Sequence, residues 1–220
     1  PTLVGPTPTP PLMAQTTFIA ALPEPLAPGE TLTLAILDEV TGLSLNAIYY
    51  PMSPRDSLTY TAILPLGLNS VVKYRYVRRS SSQITEDTHL GAAIRYRLYF
   101  VFGQGEVQDV IADWSDKSYS RPTGSVQGHV LNADTNSPLP NILVSVGGSQ
   151  YLTDSAGRFD LAGLPAGTQN LAVYSLDGRY QPFQQGALIG AGQTTPMDVR
   201  VNPSPFVNVT LTVTPPSNTV

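Results

Sequence analysis

Cysteine is missing from all 220 residues, so neither a disulfide framework nor a thiolate metal site is available. Charge is scarce as well. Only 13% of residues are Asp, Glu, Lys or Arg, and a net charge of −4 with a pI near 5.0 argues against general affinity for nucleic acid. No apolar run approaches the roughly 18 residues that would span a bilayer. A charged-then-apolar secretion signal does not open the chain, so for an exported protein the targeting segment is expected outside these residues. Helix-forming stretches of Ala, Leu, Glu and Lys at 3.6-residue spacing are missing too.

Constellations that carry catalysis are equally hard to find. His89 and His129 are the two histidines, and no spacing supplies either with a triad or zinc set. Ser80–Ser82 lack the G-x-S-x-G elbow of a nucleophile and read as a solvated loop. Asn132, Asp134 and Asn136 have oxygen ligands without EF-hand spacing, which makes them an Asx turn. Catalytic residues, a metal centre and a cofactor are therefore all expected to be absent.

What the chain does have is turns and short strands. Gly (18) and Pro (21) punctuate runs rich in Thr, Val and Tyr, the residues that pleated strands favour. Thr16–Leu22, Thr31–Leu37, Leu58–Leu66, Val71–Arg79 and Ile94–Phe102 are strand-length, and several alternate with period two. In Val71–Arg79 the alternation puts Val72, Tyr74 and Tyr76 on the core face and Lys73 and Arg75 outside. In Ile94–Phe102 it assigns Ile94, Tyr96, Leu98, Phe100 and Phe102 to the core and Arg95, Arg97 and Tyr99 to solvent. The fold class is all-β, with two tandem antiparallel β-sandwiches of immunoglobulin or prealbumin type.

Two stretches resemble known modules. TFIAALPEPLAPGETLTLAIL, YTAILPLGLNSVVKYRY and EVQDVIADWSD, within residues 15–118, are similar to the framework of starch-binding-type β-sandwich domains. That resemblance implies glycan binding through exposed tryptophans. Arg78–Glu86 reads RRSSSQITE where such a tryptophan would stand, which removes the platform. The three tyrosines Tyr49, Tyr50 and Tyr99 are the alternative flat surface. Residues 124–202 resemble the carboxypeptidase regulatory-like domain, on GHV, PLPNILVSV, TDSAGRFDL, LPAGTQNLAV and DGRYQPF. This second resemblance implies a transthyretin-like accessory sandwich that packs, spaces and binds without catalysing. Its turn has a local cause: Asp154 accepts from its own backbone, and Gly157 supplies positive φ before the Phe159 strand.

The remaining segments complete a five-part organisation. Residues 1–14 are a Pro/Thr-rich extended leader, residues 119–123 a linker, and residues 203–220 an additional strand. In that strand Val207, Val209, Leu211 and Val213 alternate with polar residues, and the pattern repeats the opening of the first sandwich. It is a candidate donor strand or the start of a further repeat. Lys73, Arg75, Arg95, Arg97 and Tyr99 form the one candidate ligand or partner surface. The ordinary role of such a basic strip is cross-strand pairing with acids, worth roughly a few tenths of a kcal/mol per pair. Its functional alternative is contact with an acidic or glycan partner. The expectation is a non-catalytic, extracellular, bacterial cell-surface protein with a structural or adhesive role, self-associating by strand addition. A carbohydrate-binding module and the accessory region of a larger secreted hydrolase are the alternatives.

Overall fold

The structure is a computed structural model and describes residues 12–205. The first eleven residues of the leader, and Val207, Val209, Leu211 and Val213, lie outside the described residues. Eighteen strands and no helix are found among those described. The first sandwich takes β1 (Met13–Ala21), β2 (Thr31–Ile36), β3 (Ile48–Pro51), β4 (Ser53–Pro54), β5 (Thr59–Gly67), β6 (Val71–Arg79), β7 (Gln83–Asp87), β8 (Arg97–Phe100), β9 (Gly105–Val110) and β10 (Asp113–Trp114). The second takes β11 (Thr123–Asn132), β12 (Ile142–Val146), β13 (Ser149–Leu152), β14 (Arg158–Pro165), β15 (Gly167–Ser175), β16 (Phe183–Ile189), β17 (Thr194–Pro196) and β18 (Val199–Val201).

Each sandwich has two sheets. In the first, the order β4-β5-β1-β9 faces β10-β7-β6-β2-β3, and β8 pairs with the start of β6. In the second, β14-β11-β17 faces β13-β12-β15-β16, and β18 extends the β17 side of β11. The sheets are not wholly antiparallel as expected. The opening strand of each sandwich pairs in parallel with a late one: β1 with β9, and β11 with β17 and β18. A parallel pair needs a long crossover, and in each sandwich the whole intervening chain supplies it.

Alternation drives the packing. Thr16, Phe18 and Ala20 of β1 are buried while the residues between them are less so. Phe18 meets Ala62 across β5 and Val107 across β9, and its ring stands edge-on to Tyr74 at 5.0 Å. Val72, Tyr74 and Tyr76 face the same core, as their spacing predicts. The second core is mainly aliphatic, built on Val126, Val130, Val144, Val146, Leu171 and Val173, with Phe159 among them. Burying each such side chain contributes about 1.5–3 kcal/mol.

The turn at Thr153–Arg158 forms for the reasons its residues give. Asp154 Oδ1 accepts from the backbone N–H groups of Ala156 and Arg158, both at 2.9 Å. Gly157 adopts φ +72°, and a Cβ there would meet the Val130 carbonyl at 2.7 Å. The buried Thr153 hydroxyl donates to Leu139 O at 2.6 Å and accepts from Ile142 N at 2.9 Å, tying the turn to β12.

Candidate functional site at the seam between the sandwiches

Strand β8 is where the sequence expectation and the fold part company. All four of its residues are buried, so neither face is a solvent face. Leu98 and Phe100 pack against Leu143 and Ala172 of the second sandwich, with Val71, Tyr96 and Tyr174 at the margin. Phe100 stacks on Tyr174 with ring centres 5.7 Å apart. Arg97 and Tyr99, expected outside, point instead into the first core, at 2% and 3% exposure. The alternation itself is correct. Its outer half is covered by a second domain, which leaves the other half facing the core.

The edge of β8 is also covered. Gln184 donates through Nε2 to Phe100 O at 2.8 Å and accepts from Phe100 N at 2.9 Å. Asn170 Nδ2 donates to Leu98 O at 2.9 Å, and Gln150 Nε2 donates to Tyr96 O at 3.2 Å. Three amide side chains of the second sandwich thus take the place of a neighbouring strand. An uncovered edge here would carry backbone groups buried without partners. At Gly148 the approach is close enough that a Cβ would lie 2.6 Å from the Ile94 side chain, and φ is +82°.

Beneath the seam lies a buried ionic cluster. Strand β6 pairs with β7 through Val77–Arg79 and with β8 through Val71–Tyr74, leaving a fork at Tyr76. Glu86 fills it, accepting from Tyr76 N at 2.9 Å. Arg97 NH2 reaches Glu86 Oε2 at 2.7 Å, and its NH1 reaches Asp109 Oδ1 at 3.0 Å. Asp109 Oδ2 accepts from the hydroxyls of Tyr74 (2.7 Å) and Tyr76 (2.9 Å). Burial alone would lower the Arg97 pKa, but Glu86 and Asp109 overcome it and hold the guanidinium well above its usual range. Burial, then the Asp109 charge, pushes both tyrosine hydroxyls well above the usual phenol range. Each side-chain nitrogen and oxygen of the cluster has at least one partner, and the cluster holds strands together.

The other members of the expected strip stay outside. Lys73 and Arg75 are half-buried and Arg95 is exposed. Lys73 Nζ donates to Val40 O, and Arg95 NH2 donates to Thr41 O, both at 2.8 Å. The tyrosine surface does not form. Tyr99 is in the core, Tyr50 packs against it, and Tyr49 is capped by the Arg79 guanidinium 3.9 Å from its ring centre.

Glu86 and Asp109 were not singled out by sequence. Asp109 shares its parity with the inward Val107 and Ile111, which was the available signal. Glu86 gave none. Of the histidines, His129 Nδ1 lies 3.1 Å from Asp198 Oδ1 at the edge of an open cleft of about 560 Å³ on the second sandwich. The hydrogen bond from His129 holds the Asp198 carboxyl below its usual range. His89 Nδ1 lies 3.5 Å from Asp113 Oδ2. Asn132 Oδ1 accepts from Asp134 N and Thr135 N, which is the expected Asx turn. Among the described residues no three His, Asp or Glu side chains converge on a metal position.

Fold and seam define a tandem β-sandwich protein. Its second unit is a carboxypeptidase regulatory-like domain, matched over residues 125–202. No curated protein sequence matches the chain. Among solved structures, the minor pilin of Streptococcus agalactiae is similar at 14% identity and a TM-score of 0.35, over 90% of this chain and 100% of the pilin. The shaft pilin of Lactobacillus rhamnosus GG is similar at 10% identity and a TM-score of 0.29, over 89% of this chain and 100% of that one. A glycoside hydrolase family 15 glucoamylase from Hypocrea jecorina matches half of this chain with 19% of its own length, at 17% identity and a TM-score of 0.35.

Proposed function

We propose that the chain is a non-catalytic structural part of an extracellular bacterial surface protein, with residues 15–118 and 124–202 as its two modules. The observation that supports this most is the seam. Three amides cap one strand edge and an apolar cluster closes behind them, so the two sandwiches move as one body, as a spacer or subunit must. Residues 203–220 supply the assembly element in this reading. Val207, Val209, Leu211 and Val213 add as a strand to an open sheet edge of a second copy, and main-chain hydrogen bonds give the affinity. Among the described residues β16 pairs as a strand with β15 alone, although the Thr195 hydroxyl donates to Leu188 O at 2.9 Å, and its Leu188 is 69% exposed.

Light scattering across a concentration series tests the proposal. The full chain should self-associate, and a chain ending at residue 202 should stay monomeric. Equal behaviour of the two would overturn strand addition.

A further inference from the structure

A separate surface is the outward face of the sheet that holds β2, β3 and β6. Lys73, Arg75, Arg79 and Arg95 gather there, in a chain whose net charge is −4. At about 3.4 Å per residue, Lys73 and Arg75 are spaced about 7 Å apart along β6, and Arg79 lies about 14 Å beyond Arg75. Aromatic rings hold three of the four. Arg79 lies on Tyr49, while Lys73 Nζ and Arg95 Cζ stand 5.1 and 5.7 Å from the centre of the Tyr96 ring.

Charge balancing would be the plain explanation, and it does not hold. Arg75 faces Ala35 across β2, and Arg79 faces Thr31 and Gln83. Among the described residues none of the four has a carboxylate within 4.0 Å. Asp38 and Glu39 attract Lys73 from the β2–β3 loop, while burial and the charge of Arg95 together hold its pKa below the usual range. The contrast within β6 is direct. Arg78 points the other way and is paired with both Glu30 and Asp116, whereas Arg75 and Arg79 have no carboxylate partner among the described residues.

We infer that this face binds an acidic polysaccharide, laid along β6, whose carboxylate or sulfate groups are taken by Arg75 and Arg79 and flanked by Lys73 and Arg95. Guanidinium forks match both anions bidentately, and cations spaced along one strand suit a linear polyanion. One other anionic partner fits less well. An acidic peptide adding as a strand would find β3, four residues long and ending in Pro51, which has no N–H to offer. This inference is independent of strand addition.

Calorimetric titration of the full chain with polygalacturonate and with heparin is the test, with neutral dextran as the control. Binding to at least one polyanion is expected, weakening as salt is raised. The Arg75→Gln/Arg79→Gln double variant should bind roughly tenfold less tightly or worse, since charge-assisted hydrogen bonds are lost. Lys117→Gln, a cation already paired with Glu24, should bind like the parent. If the double variant does not fold, Arg95→Gln at its exposed position is read the same way and should also weaken binding. The inference is overturned by no binding to either polyanion at low salt, or by unchanged binding in the folded variant. Binding only to polyglutamate or to phosphatidylglycerol vesicles would also overturn it.

Discussion

The two sandwiches reach the same layering with different interiors. The second is held mainly by aliphatic side chains, Val126, Val144, Leu171 and their neighbours, with Phe159 among them and Tyr180 and Phe183 at its margin. The first buries Phe18, Tyr74, Tyr76, Tyr99 and Trp114, and with them a charged group, Arg97, between Glu86 and Asp109. An aliphatic core tolerates repacking, whereas a buried ionic cluster has one arrangement that satisfies it. The cluster sits under β8, the strand that faces the second sandwich. The demanding interior therefore lies where alignment of the two domains is set.

The comparison breaks most visibly at Arg97. Arg97→Leu leaves Glu86 and Asp109 buried without a counter-charge, and urea unfolding should show a loss of about 3–5 kcal/mol. Leu171→Ala in the aliphatic core should cost about 3 kcal/mol, through lost transfer energy and a cavity. The same experiment checks it. A larger loss at Leu171 than at Arg97 would reverse the contrast.

Alkali should act on the first sandwich. Tyr74 and Tyr76 have raised pKa values in the fold, so the stability they contribute is intact below the usual phenol pKa of about 10 and is lost as pH rises above it. Spectrophotometric titration should show these two ionising together with unfolding, after the exposed tyrosines. Titration of all 11 tyrosines while near-ultraviolet dichroism stays native would contradict that.

Smaller effects sharpen the picture. Gln184→Ala leaves Phe100 N and O without partners in the seam, for an expected loss of roughly 1–3 kcal/mol by urea unfolding. Asp198→Asn should change stability by less than about 0.5 kcal/mol, because the side chain is 55% exposed. Its contribution is present above the usual carboxylate range and fades as pH falls through the lowered pKa.

Much of this was legible in the residues. The Asp154–Gly157 turn and the inward row of β6 follow from local rules about turns and alternation. Strand β8 was not, for a physical reason. Both parities of Ile94–Phe102 carry large side chains, so the pattern shows two packed faces without saying which core each meets. An arginine among aromatics reads as surface unless its acids are known, and Glu86 and Asp109 come from other strands. Parallel pairing of first and late strands, and capping of an edge by Gln184 and Asn170, are set by contacts distant in sequence. The basic face was legible as a strip, but its membership was not. Arg79 belongs to it, while Arg97 and Tyr99 do not.

Differential scanning calorimetry of the full chain, beside Gln184→Ala/Asn170→Ala, tests the claim that the seam makes one body of two sandwiches. The parent should melt in a single transition with equal calorimetric and van't Hoff enthalpies, and the double variant should resolve into two. Two independent transitions in the parent, unmoved by the substitutions, would contradict it.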